Sequence, residues 1–301
     1  MVKVSVVHGH AARPGTVSVV AAQNAPATPA TLVLLPGDIS TAHATMIGSS
    51  MLAQYSAWSC ENLAKLLARR WPTYNAVVVH PPRAVDGFSC YDDWLSNLDQ
   101  TGDPAAGYDG SGTACAHLLA QLNKLPDVGS SSPLHLIGFS KGAVPLNQIL
   151  AEIGGESGAG DDSPAGRLLA RIDTMTWLDP GLNREPGPIL LGSTAADTAL
   201  LRIAGMRMRA RASRSPRLAV TLTPYQMQPR SWLRSWSFVW HSWPPIRRES
   251  DAVAARRRFE RLLRRESVLV ACDECLTERP PSLENHFEVL NAFTAPWDAS
   301  E

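Results

Sequence analysis

Ser140 stands in Gly138-Phe139-Ser140-Lys141-Gly142, between a short apolar run, Leu134-His-Leu-Ile137, and Ala143-Val-Pro-Leu-Asn-Gln-Ile-Leu150, whose apolar residues recur at helical spacing. Strand, Gly-x-Ser-x-Gly, then helix is the sequence form of a nucleophile elbow. The turn is too sharp for bulky neighbours, and Gly138 and Gly142 let strand and helix approach closely. The serine then projects at a helix N-terminus, where backbone N–H groups and the helix dipole favour negative charge. A tetrahedral oxyanion is stabilised in such a place, so the chemistry indicated is acyl transfer. An ordinary strand-to-helix turn can carry the same five residues; only the flanking pattern gives them this meaning.

A serine nucleophile needs a base, and the base needs an orienting acid. On a parallel sheet these partners belong on loops after later strands. Asp179 directly follows the apolar run Thr174-Met-Thr-Trp-Leu178, in the loop-forming tripeptide Asp179-Pro180-Gly181. His286 lies in Ser282-Leu-Glu-Asn-His-Phe287, beyond the last strand candidate. The chain order is therefore Ser, Asp, His. Asp179 could instead be a turn-capping residue, which its setting also favours, and His286 a packing residue. Of the other histidines, at positions 8, 10, 43, 80, 117, 135 and 241, none follows that strand. Asp173 and Glu284 are the alternative acids, and Glu284 stands awkwardly close to His286.

Oxyanion donors should be the backbone N–H of Lys141 and one from the loop after the first central strand. That loop is Pro36-Gly37-Asp38, and the Asp38 N–H is the candidate. The Asp38 carboxylate is unexpected beside a developing negative charge unless it points away. Lys141 is a neighbour of Ser140 and does not serve as its base; its charge raises the local positive potential.

The elements that must position these groups follow from periodicity. Val2–Val7 and Thr16–Ala21 are β-branched runs that read as an opening antiparallel pair. Leu32–Leu35, Asn75–Val79, Leu134–Ile137, Thr174–Leu178, Leu218–Thr223 and Ser267–Ala271 are continuous apolar runs, as expected of strands buried on both faces. Helices are expected over Trp58–Trp71, Gly112–Leu122, the elbow to about Ile153, Ala165–Ile172 and Ala254–Arg265. Strands alternating with helices predict an α/β protein: a mostly parallel central sheet with helices on both faces, in one domain over residues 1–301. With the elbow at its centre, this is the α/β-hydrolase fold.

Composition is consistent with that size of core. Hydrophobic residues make up 45% and charged residues 19%, the balance of a globular chain. The 28 basic and 28 acidic residues cancel. They are unevenly spread: Leu201–Arg265 holds 16 Arg against Glu249, Asp251 and Glu260. Mutual neutralisation across a solvated surface explains this, and contact with anionic lipid or nucleic acid is the sharper alternative. Five cysteines in a chain this long do not form a disulfide framework. Cys272-Asp-Glu-Cys275 lacks the further ligands a zinc site needs. No apolar run reaches membrane-spanning length, and no secretory signal pattern is present. The first 37 residues are free of acid, as in a mitochondrial transit peptide, but contain only Lys3 and Arg13 as basic residues.

Residues 228–265 read as an Arg/Trp-rich insertion or cap. Trp232, Trp236, Trp240 and Trp243 share one face of a helix, flanked by Arg230 and Arg234 and stopped by Pro244-Pro245. Packing onto the body is the plain reading; a lid or a membrane-interface helix is the functional one. No nucleic-acid recognition motif accompanies it, so no nucleic acid is expected.

Several blocks together resemble the α/β-hydrolase-like family whose human member is a mitochondrial protein first catalogued as an open reading frame on chromosome 2. They are Leu34-Leu-Pro-Gly-Asp38, Trp58-Ser-Cys-Glu-Asn62, Phe88-Ser-Cys-Tyr-Asp92, Leu136-Ile-Gly-Phe-Ser-Lys-Gly142, Trp177-Leu-Asp179, Thr223-Pro-Tyr-Gln226, Arg230-Ser-Trp232 and Ser282-Leu-Glu-Asn-His-Phe287. The resemblance implies Ser140, Asp179 and His286 as the triad and a mitochondrial location, with the cytoplasm as the alternative. The alanine-rich N-terminus departs from the family pattern, as does extra sequence around Arg207–Arg217 and Trp232–Arg265. The function expected is a serine hydrolase of esterase, lipase or thioesterase type, acting on a small-molecule or lipid acyl substrate without cofactor or metal. The rival is a non-catalytic protein of the same fold that binds a protein partner or an anionic membrane surface.

Overall fold

The computed structural model describes residues 1–95, 98–105, 107–155, 160–180, 194–210, 215–227 and 251–298. The strands are β1 (Lys3–His8), β2 (Pro14–Val20), β3 (Thr31–Leu35), β4 (Asn75–Val79), β5 (Arg83–Val85), β6 (Phe88–Cys90), β7 (Leu134–Phe139), β8 (Ile172–Leu178), β9 (Arg217–Leu222) and β10 (Val270–Glu274). The helices are α1 (His43–Ile47), α2 (Cys60–Arg70), α3 (Ala114–Leu122), α4 (Ala143–Gly154), α5 (Pro164–Arg171), α6 (Ala195–Ala210), α7 (Pro224–Met227), α8 (Asp251–Arg265) and α9 (Leu283–Ala292).

Among the described residues, eight strands form one sheet in the order β1-β2-β4-β3-β7-β8-β9-β10, and β5 and β6 make a separate hairpin. β1 pairs antiparallel with β2, and β2 antiparallel with β4. Every pair from β4 to β10 is parallel. The apolar runs are covered on both faces, and their alternation divides them between two cores. Leu32, Leu34, Ala76, Val78, Ile137 and Phe139 pack with Leu63 and Leu67 of α2 and Phe287 and Leu290 of α9. Val33, Leu35, Val77, Val79, Leu136 and Trp177 face the other way, onto α3, α4, α5, α6 and α8.

β3 is the strand from which the chain steps first to one side, to β4, and later to the other, to β7. This is a topological switch point, the place where open α/β sheets bind ligands, outside the strands' carboxyl ends. The loops after β3 and β7 carry Gly37 and Ser140. Ser59 and Ser282 cap α2 and α9, accepting from the N–H groups of Asn62 and Asn285.

Two sequence expectations need correction. The last strand is β10 at Val270–Glu274, later than Ser267–Ala271: Ser267 has φ +61° and Val268 N–H bonds back to Leu263 O, so these residues close α8. Thr223 leaves the strand register after Leu222 and turns toward Asp179. The hairpin β5–β6 and the helix α6 carried no sequence expectation. The Trp232–Trp243 stripe and its flanking Arg230 and Arg234 lie outside the described residues, whereas the basic helix that follows is present as α8 and buries Phe259 and Leu263.

Candidate active site

Ser140 occupies the first position after β7, with φ +50°, a left-handed conformation that a serine adopts only when its surroundings hold it there. The contacts behind it explain both flanking glycines. A Cβ on Gly142 would stand 1.8 Å from Leu35 O, and one on Gly138 would stand 2.8 Å from Gly142 O. Gly37 closes the front: a Cβ there would meet Ser140 Cβ at 2.5 Å and Ser140 Oγ at 3.1 Å. The β3 loop therefore lies against the serine.

Asp179 follows β8 and also has positive φ, +42°. Its carboxylate is fully buried and, among the described residues, receives three donors. Thr223 gives its N–H to Oδ1 at 2.7 Å and its hydroxyl to Oδ2 at 2.5 Å. His286 Nδ1 meets Oδ2 at 2.6 Å. A carboxylate only accepts, so Nδ1 carries a proton, and in the neutral ring the lone pair then lies on Nε2. His286 sits in the first turn of α9 and is buried. Its ring packs against those of Phe139 and Tyr225, each with centroids 4.7 Å away and tilted by 32° and 30°. Phe139 is the residue before Ser140, so the imidazole is held beside the elbow. Among the described residues no hydrogen bond joins Ser140 Oγ to the ring; in resting enzymes this contact is commonly long and tightens on substrate. Asp173 lies near the opposite end of β8, and Glu284 is exposed. His80, His117 and His135 are committed to Ser18, Gln121 and Thr174.

The β3 loop is held residue by residue by the segment at and after β6. Tyr91 donates its hydroxyl proton to Pro36 O at 2.6 Å, Ser89 Oγ donates to Gly37 O at 2.8 Å, and Ser89 N–H donates to Asp38 Oδ1 at 2.8 Å. Ile39 has φ +73° and gives its N–H to Gly87 O at 2.7 Å. That amide is committed, which leaves the Asp38 N–H as the donor next to it. The Asp38 carboxyl is pushed above its ordinary value by burial; Lys141 and the Ser89 N–H pull the other way. The Lys141 ammonium does not face Ser140. It is buried, donates to Thr101 O at 3.1 Å and pairs with Asp103.

Sequence reasoning from the elbow outward did not assign Thr223, Ser89, Tyr91, Tyr225 or Asp103. Four of these five fall in the blocks Phe88–Asp92 and Thr223–Gln226, so the resemblance marked them without giving a role. Trp58 belongs to another such block and stacks on Phe287 at 5.4 Å. Trp177 donates Nε1–H to Asn147 Oδ1 at 2.8 Å, tying β8 to the elbow helix α4.

The profile of the C2orf69 family matches residues 3–129 and 120–235. The mitochondrial protein C2orf69 homolog of Danio rerio is 29% identical over 283 residues, covering 87% of this chain and 72% of that protein. The mitochondrial protein C2orf69 of Homo sapiens is 25% identical over 323 residues, covering 87% of this chain and 74% of that protein. Among solved structures, the siderophore hydrolase EstB from Aspergillus nidulans superposes with a TM-score of 0.50 at 14% identity, over 96% of this chain and 93% of that one. That likeness is one of fold, and the fold is that of the α/β-hydrolases. No helix among the described residues is long and apolar enough to cross a membrane.

Proposed function

Because this chain belongs to the C2orf69 family and has an α/β-hydrolase fold, we propose that it is a serine hydrolase cleaving ester or thioester bonds, with Ser140, Asp179 and His286 as its triad. The observation that carries the reading is the bond from His286 Nδ1 to the buried, three-donor carboxylate of Asp179, next to a serine in the strained elbow conformation. A packing histidine needs no such carboxylate.

Nε2 of His286 accepts the Ser140 hydroxyl proton as Oγ bonds to the carbonyl carbon. Asp179 keeps the tautomer and stabilises the imidazolium. The N–H groups of Lys141 and Asp38 stabilise the oxyanion, each worth roughly 3–4 kcal/mol by comparison with donors of this kind. The imidazolium returns its proton to the departing alcohol or thiol, leaving an acyl-serine. Water, activated by the same nitrogen, then releases the acid and restores the serine. The names of the relatives support a mitochondrial setting for this activity.

The reading is tested with a panel of short and long acyl esters and thioesters against wild type, Ser140→Ala and His286→Ala. Either substitution is expected to lower kcat by roughly 10³-fold or more, with a smaller change in KM. Turnover that survives Ser140→Ala would remove the assignment.

A further inference from the structure

We propose that the Lys141 side chain is a positioning residue: it grips the closed loop between Leu98 and Pro104, and through that loop the strand β6 that holds the oxyanion loop in place. The inference rests on the hydrolase reading and deepens it, giving a role to the side chain of the residue whose N–H is one oxyanion donor.

The grip is a buried ion pair. The Lys141 side chain is 6% exposed and that of Asp103 13%. Taking both charges out of water is costly, and a buried pair is tolerated when further hydrogen bonds satisfy its ends. The ammonium pairs with Asp103 and also donates to Thr101 O at 3.1 Å. Pulling the two apart would leave a buried charge unmatched, so the contact holds its segment firmly.

That segment is closed on itself. Asp99 Oδ1 accepts from the N–H and the hydroxyl of Thr101, each at 2.8 Å, and from the Asp103 N–H at 3.0 Å. Asp99 N–H donates to Asp103 O at 2.8 Å, and Leu98 bridges Pro104. A loop tied at so many points moves as one unit, so a grip on Thr101 and Asp103 also fixes Gly102 between them. Gly102 has φ +77°, and a Cβ there would stand 2.8 Å from Ser89 O and 2.9 Å from Cys90 Cα. The loop therefore lies directly on β6, at an approach only glycine allows. Ser89 in turn donates its hydroxyl to Gly37 O and its N–H to Asp38 Oδ1. Gly37 lies against Ser140. The contacts form a ring that leaves the elbow at Lys141 and returns to it at Ser140.

Two donors stabilise an oxyanion only when their spacing is right, and small misplacements cost rate steeply. The elbow fixes the Lys141 N–H. The Asp38 N–H comes from a loop after another strand, and the ring of contacts sets its place from the residue that supplies the other donor. The side chain acts on position, because its ammonium is committed to Asp103 and Thr101.

The test is hydrogen–deuterium exchange read by mass spectrometry on the full chain, together with steady-state kinetics on a turned-over ester. Lys141→Met removes the ammonium and keeps the backbone N–H. Exchange should quicken at least about 10-fold in the loop gripped by Lys141 and at Gly37–Ile39, where the Ile39 N–H is bonded to Gly87 O, with peptides from β8 and β9 unchanged. kcat should fall about 10-fold with KM within about 2-fold, the mark of an interaction felt in the transition state. If Lys141→Met does not fold, its combination with Asp103→Asn leaves neither charge of the pair buried and serves instead. Unchanged exchange at Gly37–Ile39, exchange raised evenly over the chain, or an unchanged kcat in a folded variant would overturn the proposal. The exchange arm needs no turnover, so it decides the grip by itself, whereas a wild type that cleaves no ester counts against the hydrolase reading.

Discussion

Thr223 gives the Asp179 carboxylate two of the three hydrogen bonds it receives among the described residues, one from the backbone and one from the hydroxyl. Thr223→Val keeps the shape and the amide but removes the hydroxyl, leaving Oδ2 to His286 alone. The carboxylate is then less firmly oriented, and kcat should fall about 10-fold with KM nearly unchanged, read from steady-state kinetics on any turned-over ester. Asp38 gives a second expectation at this scale. Burial raises its carboxyl above the ordinary 3.8, so the folded state holds the proton more tightly than the unfolded state does. Its favourable contribution is present below the ordinary value and lost as pH rises through the raised one. Asp38→Asn should therefore unfold at higher urea concentration than wild type near pH 7, with the gap closing toward about pH 4.

At the scale of elements, Gly37 joins the β3 loop to the elbow. Gly37→Ala places a methyl 2.5 Å from Ser140 Cβ, and the elbow behind it cannot retreat because Gly142 already lies against Leu35 O. The loop must shift, taking the Asp38 amide with it. We expect kcat/KM to fall at least about 10²-fold and urea unfolding to show a loss of about 1–3 kcal/mol. The elbow, the strand before Asp179 and the late histidine were legible because each has a local signature: glycines at fixed spacing, a loop tripeptide after an apolar run, and position after the last strand. The hairpin β5–β6 was not. Its strands are three residues each, too short for alternation to register, and its task is to hold Pro36, Gly37 and Asp38 across more than 50 positions of sequence. Thr223 read as the end of a strand for a related reason: its partner is 44 positions away and appears only when β8 and β9 pair. The late start of β10 has a local cause, since a left-handed residue at Ser267 ended the helix where apolar content suggested a strand.

For the whole molecule, the uneven charge is partly absorbed within the fold. Arg207 donates to Ile153 O and Gly155 O, Arg256 pairs with Glu274, Arg202 with Glu266, and Arg264 with Glu260. Arg207, Arg256 and Arg202 tie helices to neighbouring elements, whereas Arg264 and Glu260 pair within α8, and most of the ion pairs are too exposed to add much stability. The first strands show the same economy of reading: the acid-free start of the chain includes β1 and β2, and Val17 and Val19 are buried in the core. The sheet brings Gly37, Ser140, Asp179, Thr223 and His286 to one edge from positions spread over most of the chain, and an active serine is the reason offered for that convergence. Labelling with a fluorophosphonate probe, followed by mass mapping of the adduct, tests it most directly. Wild type should carry the adduct on Ser140, with labelling lost in Ser140→Ala and reduced at least about 10²-fold in His286→Ala. A folded wild type that stays unlabelled, or an adduct on another residue, would contradict the account.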